Sequence, residues 1–305
     1  MILQVHHATL NVADVEEATE RWARLYCLTP TEGDGGSALL RTAYEDFCLE
    51  LRQGGEPGVE HVAYELRSGI SLADAAARIE GAGDVIEEVE VPVRGRGLRV
   101  HDPDGNAIVL VERVIAENRI PPVARYTDEL PGFHPRKLQH FNYLTADTPR
   151  LADWYEQVLG LGVSDWIGDG AVWLHADRDH HVVAFLDKGY SHIHHLAFEL
   201  VDWGEMRVFL DHLAQCQRPI AWGPGRHTMA QNLFAYCRMP EEEIFVELFC
   251  DMEQLEPDHE PRVFEDDPHG SNAWGILPPR SYFKFDADSI EAERQQLEAQ
   301  QGLRD

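Results

Sequence analysis

An internal repeat constrains the fold of this chain more than any other feature. The segment LQVHHATLNVAD resembles LQHFNYLTAD, and GVEHVAYEL resembles HIHHLAFEL further along the chain. The histidines keep nearly one offset, 133 residues from His7 to His140 and 134 residues from His61 to His195. Two motifs rarely share an offset by chance, so the chain is interpreted as two copies of a unit of roughly 130 residues.

Each copy shows the pattern of a strand, a helix and further strands, twice over. A short alternating strand ends in Ala-Asp, and an amphipathic helix follows, EEATERWARLY in one copy and TPRLADWYEQVLGL in the other. The second motif leads into helices near 71–80 and 203–215. Runs rich in Val, Ile, Phe and Tyr predict the remaining strands: SALLRTAYEDFCLELR, LRVHDPDGNAIVLVE, VVAFLD and NLFAYC. The pattern predicts an α+β protein built from paired βαβββ modules.

An unperiodic run from Pro121 to Pro135 holds four prolines and is interpreted as the linker between the copies. After about residue 255 the repeat is exhausted, and a tail rich in Pro, Gly and aromatic residues predicts an extended segment before a last helix, DSIEAERQQLEAQQ. The predicted regions are an N-terminal domain at 1–125, a second domain at 126–255 and a C-terminal extension at 256–305.

Composition limits the partners. With 54 acidic and 26 basic residues, the formal net charge is −28. This charge repels phosphate backbones and anionic membranes, so neither nucleic acid nor a membrane is expected as a partner. The N-terminus shows no signal peptide, and no run approaches the roughly 20 apolar residues of a membrane span. Five scattered cysteines without a CxxC pair fit a reducing compartment, so a cytoplasmic location is expected.

The repeat also indicates a metal site in the second copy. Alternate residues of a strand face one side of a sheet, so His140 and His195, on corresponding strands, can point into one concavity. Glu247 is the candidate carboxylate because it lies inside the apolar strand IFVELF, whereas Glu243 is the alternative in a turn expected to be solvated. Two histidines and one carboxylate hold Fe(II) with open positions for substrate and oxygen.

The first copy acts as a built-in comparison. His7 and His61 match the two ligand histidines, but the residue equivalent to Glu247 falls at Val109 in DPDGNAIVLVE. A valine side chain offers no ligand atom for a metal. The first copy is therefore predicted to be metal-free.

Several motifs occur in order along nearly the whole chain, and they are strongest in its second half. They are LQHFNYLTAD, HHVVAFLDKGYSHIHHLAFEL, GPGRHTMAQNLFAYCRMP, FVELF and the tail EDDPHGSNAWGILPPRSYF. Together they resemble type I extradiol ring-cleavage dioxygenases of the vicinal oxygen chelate superfamily. The resemblance implies two tandem half-open barrel-like domains and a mononuclear Fe(II) centre, with Mn(II) as the alternative metal, held by His140, His195 and Glu247.

The resemblance also implies residues around the metal that spacing alone does not reveal. His181, just before VVAF, matches a histidine that faces bound oxygen and transfers a proton. His227, in GPGRH, and Tyr236, in LFAY, match residues that hydrogen-bond the substrate and intermediates. The implied reaction is extradiol cleavage of a catecholic ring by O2 in aromatic catabolism, which gives a ring-opened semialdehyde-type product. The implied partners are a small catecholic molecule, O2 and further copies of the chain in a homo-oligomer.

Apolar side chains near these motifs are expected to line a substrate pocket for an aromatic ring. The expected lining residues are Trp173, Phe185, Leu196 and Tyr282. Three further histidines adjoin site residues. His180 is expected to face outward beside His181, and His194 and His6 are expected to point to the other face of their strands because side chains alternate.

Two other functions fit the same fold. One is a non-oxidative, metal-dependent glyoxalase-like isomerase, lyase or transferase, a class that usually takes its ligands from two units or as four protein groups. The other is a metal-free small-molecule binding protein, which an intact triad in one unit disfavours. The valine at position 109 and the presence of His181, His227 and Tyr236 favour oxygen chemistry, whereas the fold alone does not decide.

Overall fold

The computed structural model describes residues 1–42, 45–114, 135–267 and 269–302. In the first copy of the repeat, two βαβββ modules follow one another. Its strands are β1 (Ile2–Val12), β2 (Thr29–Glu32), β3 (Ala38–Arg41), β4 (Leu49–Gln53), β5 (Gly58–Leu66), β6 (Glu87–Val91), β7 (Gly95–His101) and β8 (Ala107–Val111). Its helices are α1 (Val15–Tyr26) and α2 (Leu72–Gly81), with a 3-10 turn at Asp34–Gly36.

The second copy repeats this order and is followed by the C-terminal extension. Its strands are β9 (Lys137–Thr145), β10 (Gly162–Ile167), β11 (Ala171–His175), β12 (Val183–Asp187), β13 (His192–Glu199), β14 (Ile220–Arg226), β15 (Leu233–Met239) and β16 (Ile244–Cys250). Its helices are α3 (Thr148–Trp154), which continues as a π-helical turn at Tyr155–Leu159, and α4 (Trp203–Gln215). The extension holds β17 (Arg262–Phe264), a 3-10 turn at Arg280–Phe283 and α5 (Ala287–Gly302).

Strand order confirms the repeat. The first sheet runs β2-β3-β4-β1-β5-β8-β7-β6, and the second runs β14-β15-β16-β13-β9-β12-β11-β10-β17. Read in the opposite direction, the first order matches the second strand for strand, with β17 added at the edge. The α+β class and the paired βαβββ modules predicted from the sequence are therefore confirmed.

Helix starts follow from the Ala-Asp ends of the two motifs. Asp14 accepts a hydrogen bond from the backbone N–H of Glu17 at 2.9 Å, and Asp147 accepts one from Arg150 at 3.1 Å. An aspartate at this position satisfies a backbone donor that the first turn leaves without a partner. The same short motif thus ends a strand and begins a helix in both copies.

The two faces of each sheet carry different kinds of side chain. On β9, Leu138, Phe141 and Tyr143 belong to a hydrophobic core that extends through both copies. His140 and Asn142 point to the other face, which is called the inner face here. Buried apolar area stabilises the sheet by about 25 cal/mol per Å², so the core side fixes the strands and the inner face is left free to carry polar groups.

The C-terminal extension is fastened to the second sheet. β17 pairs with the edge strand β10 in parallel register. Arg262 on β17 donates to Asp165 at 2.8 and 2.7 Å and to Glu253 at 2.8 and 2.7 Å. Asp165 is fully buried, so the guanidinium provides the charge that a buried carboxylate requires.

The predicted boundary between residues 125 and 126 and most of the predicted proline linker, Pro121 to Pro131, lie outside the described residues. The division into regions 1–125, 126–255 and 256–305 stays a prediction. In the described part of the chain, no helix has the length and apolar character needed to cross a bilayer.

Candidate metal centre

His140, His195 and Glu247 meet on the inner face of the second sheet. Their strands β9, β13 and β16 are neighbours, and Ala197 pairs with both His140 and Glu247. The Oε2 atom of Glu247 lies 2.9 Å from Nε2 of His140 and 3.3 Å from Nε2 of His195. At most 5% of each side chain is exposed, and one ligand atom from each lies within 4.8 Å of the others.

Hydrogen bonds behind the two histidines fix which ring nitrogen faces the inner cluster. Gln139 Oε1 accepts from Nδ1–H of His140 at 2.7 Å, because its own amide N–H groups are used on other acceptors. The carbonyl of Tyr282 accepts from Nε2–H of His194 at 2.8 Å, so His194 Nδ1 accepts from Nδ1–H of His195 at 2.8 Å. These partners assign the tautomers and leave both Nε2 lone pairs facing Glu247.

This donor set fits a cation. Two nitrogen lone pairs and a carboxylate oxygen converge in a buried space, where their mutual repulsion requires a positive charge between them. Burial alone raises the pKa of the Glu247 carboxyl, but His140 and His195 hold the pKa well below its ordinary value. Burial lowers the pKa of His195 to about 4. The ionised carboxylate and the neutral imidazole are the forms that ligate divalent transition metals.

A β-bulge precedes each ligand histidine, and it overturns one expectation. Gln139 on β9 and His194 on β13 are each an extra residue that has no paired residue on the other strand. His194 therefore lies on the same side as His195, stacked on Phe245 at a centroid distance of 5.1 Å, and not on the opposite face as alternation predicted. His6 beside His7 is a bulge of the same kind, so that prediction was wrong as well.

We expect His194→Ala to weaken metal binding about 10- to 100-fold, because outer partners orient ligand histidines and set their tautomers. His192→Ala is the matched control, since His192 bonds the backbone carbonyl of Glu243 at 2.8 Å and has no hydrogen bond to a ligand. Titration of the metal-free variants with Fe(II) under anaerobic conditions measures both affinities. Equal affinities in the two variants would refute the orienting role of His194.

His181 faces the same cluster from the adjacent strand segment. Its ring centroid lies 4.3 Å from that of His140. Asp165 Oδ2 accepts from Nε2–H of His180 at 2.7 Å, so His180 Nδ1 accepts from Nδ1–H of His181 at 3.1 Å. His181 thus presents an Nε2 lone pair to the pocket. His180 was expected to face outward, but it is fully buried because Asp165 and the extension cover it.

His227 and Tyr236 form a third polar group beside the triad. His227 Nδ1–H donates to the carbonyl of Ser271 at 2.7 Å, so its Nε2 accepts the Tyr236 hydroxyl at 3.0 Å. Burial raises the pKa of Tyr236 well above its ordinary value, and the nearby Glu247 adds to the shift. The tyrosine therefore keeps its proton and remains a hydrogen-bond donor at neutral pH.

Two asparagines in the site were missed from the sequence. Asn232 donates to Glu247 Oε1 at 3.1 Å, and its own Oδ1 is buried without a partner. Asn142 is 4% exposed, and its Oδ1 also has no partner. Alternation would have found Asn142, two residues after His140 on one strand. No comparable signal marks Asn232, which precedes β15.

A pocket lies above the triad, and His140, His195 and Glu247 line it. Trp173 and Tyr282 line it as expected, together with Leu186, Trp222, Met229, Pro278 and Phe283. The expectation for Phe185 and Leu196 was wrong, because both belong to the hydrophobic core on the other face of the sheet.

The turn before β16 is not the solvated turn that the sequence predicted. Glu243 has a left-handed backbone with φ of 57° and does not join the ligand cluster, so this alternative to Glu247 is not supported. Glu242 was expected to be solvated but is fully buried, because it pairs with Arg21 from α1. This turn is one residue longer than its counterpart in the first copy, with seven residues from Pro240 to Glu247 and six from Pro103 to Val109. The register of Glu247 is nevertheless intact.

The first copy lacks the third ligand. Val109 pairs with Ala63 as Glu247 pairs with Ala197, which confirms the equivalence that the sequence predicted. Arg94 Nε donates to Nε2 of His6 at 2.9 Å, so His6 Nδ1–H donates to His7 Nδ1 at 2.6 Å. The proton of His7 then sits on Nε2, which is the reverse of the arrangement at the ligand histidines.

We expect His7→Asn to leave the metal content unchanged and His140→Asn to remove most of the metal. The two histidines occupy equivalent strand positions, but only His140 has a carboxylate and a correctly placed lone pair beside it. Elemental analysis after reconstitution with Fe(II) gives the metal content per chain. Two metal ions per wild-type chain, with one lost in each variant, would contradict a metal-free first copy.

Comparisons with known proteins agree with the fold. Residues 137–247 match the family model of the Glyoxalase/Bleomycin resistance protein/Dioxygenase superfamily. The matched residues lie within the second copy, which is therefore similar to the members of that superfamily. Metapyrocatechase 2 of Cupriavidus necator is 32% identical over 108 residues, which cover 35% of this chain and 34% of that protein.

Other relatives match over most of their length. A manganese-dependent 2,3-dihydroxybiphenyl 1,2-dioxygenase of Geobacillus genomosp. 3 is 23% identical over 85% of this chain and 89% of its own. Homoprotocatechuate 2,3-dioxygenase of Brevibacterium fuscum, solved with 3,4-dihydroxyphenylacetate, has a TM-score of 0.82 at 22% identity and covers 92% of this chain and 91% of its own. A Mn(II)-bound glyoxalase of Novosphingobium aromaticivorans has a TM-score of 0.80 at 24% identity, with 93% and 94% covered.

Proposed function

We propose that the protein is an extradiol dioxygenase that cleaves a catecholic ring with O2 at a mononuclear Fe(II) centre held by His140, His195 and Glu247. One observation carries this proposal: a buried triad and two groups able to exchange protons, His181 and Tyr236, face one pocket. The named dioxygenase relatives support it, and the match to homoprotocatechuate 2,3-dioxygenase supports the fold. Cytoplasmic location and assembly into a homo-oligomer stay predictions.

The chemistry divides between the metal and the chain. His140, His195 and Glu247 would hold the metal, which would supply Lewis acidity and a route for oxygen chemistry when bound. His181 accepts a proton from a catechol hydroxyl at its Nε2 lone pair and returns it later. Burial and the neighbouring His140 and His180 lower the pKa of His181 well below the ordinary value, so the imidazole is neutral and its Nε2 lone pair is free to accept a hydrogen bond.

Tyr236 and His227 act on the opposite side of the substrate. In the substrate-free protein the Tyr236 hydroxyl donates its one proton to Nε2 of His227. With substrate bound, the hydroxyl turns this proton to the oxygen on which negative charge develops. Both atoms of O2 enter the product when the bond between a hydroxylated ring carbon and its unhydroxylated neighbour is cleaved. The product is a ring-opened semialdehyde-type acid.

The glyoxalase-like alternative shares the fold, as the match to a Mn(II)-bound glyoxalase illustrates. In the described residues, the His140–His195–Glu247 cluster draws all three of its ligands from the second copy. Two histidines and one carboxylate are the donor set typical of Fe(II) oxygenases, which favours oxygenation over isomerisation.

Anaerobic reconstitution tests this function. Metal-free protein is loaded with Fe(II) or with Mn(II), mixed with 2,3-dihydroxybiphenyl or catechol, and then exposed to O2 in an oxygen electrode. We expect one O2 consumed per ring opened, with a yellow product, and higher activity with Fe(II) than with Mn(II). Metal-loaded protein that consumes no O2 with any catechol would refute the proposal, and activity with Mn(II) alone would refute its choice of metal.

A further inference from the structure

The polar groups of the pocket gather at one end. The ligand cluster, His181, His227 and Tyr236 lie there, and the unpartnered Oδ1 atoms of Asn142 and Asn232 line the same cavity. A buried acceptor without a partner costs free energy unless a ligand supplies a donor. The two hydroxyl groups of a catechol provide such donors, so this end of the cavity fits the diol.

The rest of the cavity is apolar and is built from two walls. One wall consists of Trp173, Leu186 and Met229, which pack against a small cluster behind them. The other wall consists of Trp222 and Tyr282, which pack together at a centroid distance of 4.9 Å. These walls come from three strands, a loop and the C-terminal extension, and they enclose the space that a ring substituent would occupy.

No lysine or arginine lines this cavity among the residues that the structure describes. The carboxylate of Glu247 is already present at its polar end. An anionic substituent would therefore lose its hydration between apolar walls without gaining a counter-charge, and this is strongly unfavourable. An uncharged substituent meets no such penalty and gains from burial against the aromatic rings.

The side chain of Lys188 lies beside this cavity. Lys188 Nζ is 4.5 Å from the ring centroid of Phe283, which lines the cavity. Lys188 is exposed, so water screens its charge. It does not supply the desolvated partner that a buried carboxylate requires.

We infer that the substrate is a catechol whose ring substituent is uncharged and apolar, an alkyl or aryl group rather than a carboxylate. This inference rests on the proposed ring cleavage and names the substrate class of that site. The preference follows from the walls, so it applies to binding as well as to turnover.

A matched pair of probes tests the inference. 4-Isobutylcatechol and 3,4-dihydroxyphenylacetate carry side chains of nearly equal shape that differ in charge. We expect Fe(II)-loaded protein to show a kcat/KM at least about 30-fold higher for the isobutyl compound. Equal or higher kcat/KM for the carboxylate would overturn the inference and leave ring cleavage intact. If the protein prefers the carboxylate and Lys188→Met loses this preference, Lys188 is the group that binds the carboxylate. The inference is likewise overturned in that case.

Two arginine variants sharpen the test. Leu186→Arg places a cation in the apolar wall and should raise the relative kcat/KM for 3,4-dihydroxyphenylacetate by about 10-fold or more. Val263→Arg adds the same charge at a residue that is 74% exposed on β17, and it should leave the preference unchanged. An identical shift in both variants would show a general charge effect and would overturn the role of the wall.

Failure of ring cleavage remains distinguishable from failure of this inference. Anaerobic calorimetry measures binding of both probes to the Fe(II)-loaded protein without turnover. Absent O2 uptake with preferential binding of the isobutyl compound would refute the proposed reaction and support the apolar site. Preferential binding of the carboxylate would overturn the inference whatever the turnover.

Discussion

Glu247→Gln should lose most of its metal and at least about 100-fold of its ring-cleavage activity. Loss of an outer partner of a ligand costs about 10- to 100-fold in metal affinity, and loss of the ligand charge itself should cost no less. The substitution keeps the size of the side chain but removes the negative charge that faces His140 and His195. Metal content by elemental analysis and O2 uptake measure the two effects.

Glu243→Gln is the matched control for this variant. Glu243 lies on the same turn-and-strand segment, and it was the alternative ligand on the sequence alone. Its backbone carbonyl, not its carboxylate, bonds His192. We expect wild-type metal content and activity from this control. Metal loss from Glu243→Gln, with metal retained in Glu247→Gln, would show that Glu243 and not Glu247 is the ligand.

His181→Ala should separate catalysis from metal binding. The variant should keep wild-type metal content and lose about 10²- to 10⁴-fold in kcat, which is the range typical of a positioned acid or base. The reason is geometric, because His181 points its Nε2 lone pair into the pocket but stays outside the ligand cluster. Single-turnover kinetics with anaerobically bound 2,3-dihydroxybiphenyl measure the chemical step directly.

His101→Ala controls for the loss of an imidazole elsewhere. His101 is exposed at the end of β7 in the first copy and does not line the pocket. Its kinetics should match those of the wild type. Unchanged turnover in His181→Ala would remove His181 from the reaction, and a parallel loss of metal would make it a structural support of the centre.

The sequence predicted much of this architecture because the repeat carries long-range information. Matching offsets aligned His7 with His140 and His61 with His195, and the sheet registers put Val109 and Glu247 at equivalent positions. A single-copy fold would have offered no such internal alignment. The helix starts were also predictable, because Ala-Asp at a strand end acts locally through the capping side chain.

Side-chain direction was less predictable. Alternation predicted that His194 and His195 face opposite sides, but a bulge places both on the inner face. Bulges depend on pairing with a distant strand, and no local residue pattern indicated the bulge at His194. Alternation would have been the right guide for Leu196 and Phe185, which adjoin inner-face residues and therefore point into the core.

Some of the groups that support the centre could not be predicted, since they come from the distant extension. The Tyr282 carbonyl fixes His194 across 88 residues, and Arg262 holds Asp165 across 97 residues. A backbone carbonyl carries no sequence signature, because every residue has one. The extension, interpreted from the sequence only as an extended tail, is part of the support of the metal centre.

Anomalous diffraction from a crystal of Fe(II)-loaded protein, recorded on both sides of the iron absorption edge, tests the central claim most directly. We expect a single iron peak per chain, in contact with Nε2 of His140, Nε2 of His195 and the carboxylate of Glu247. A peak beside His7 and His61, or a second peak elsewhere in the chain, would contradict a single centre confined to the second copy.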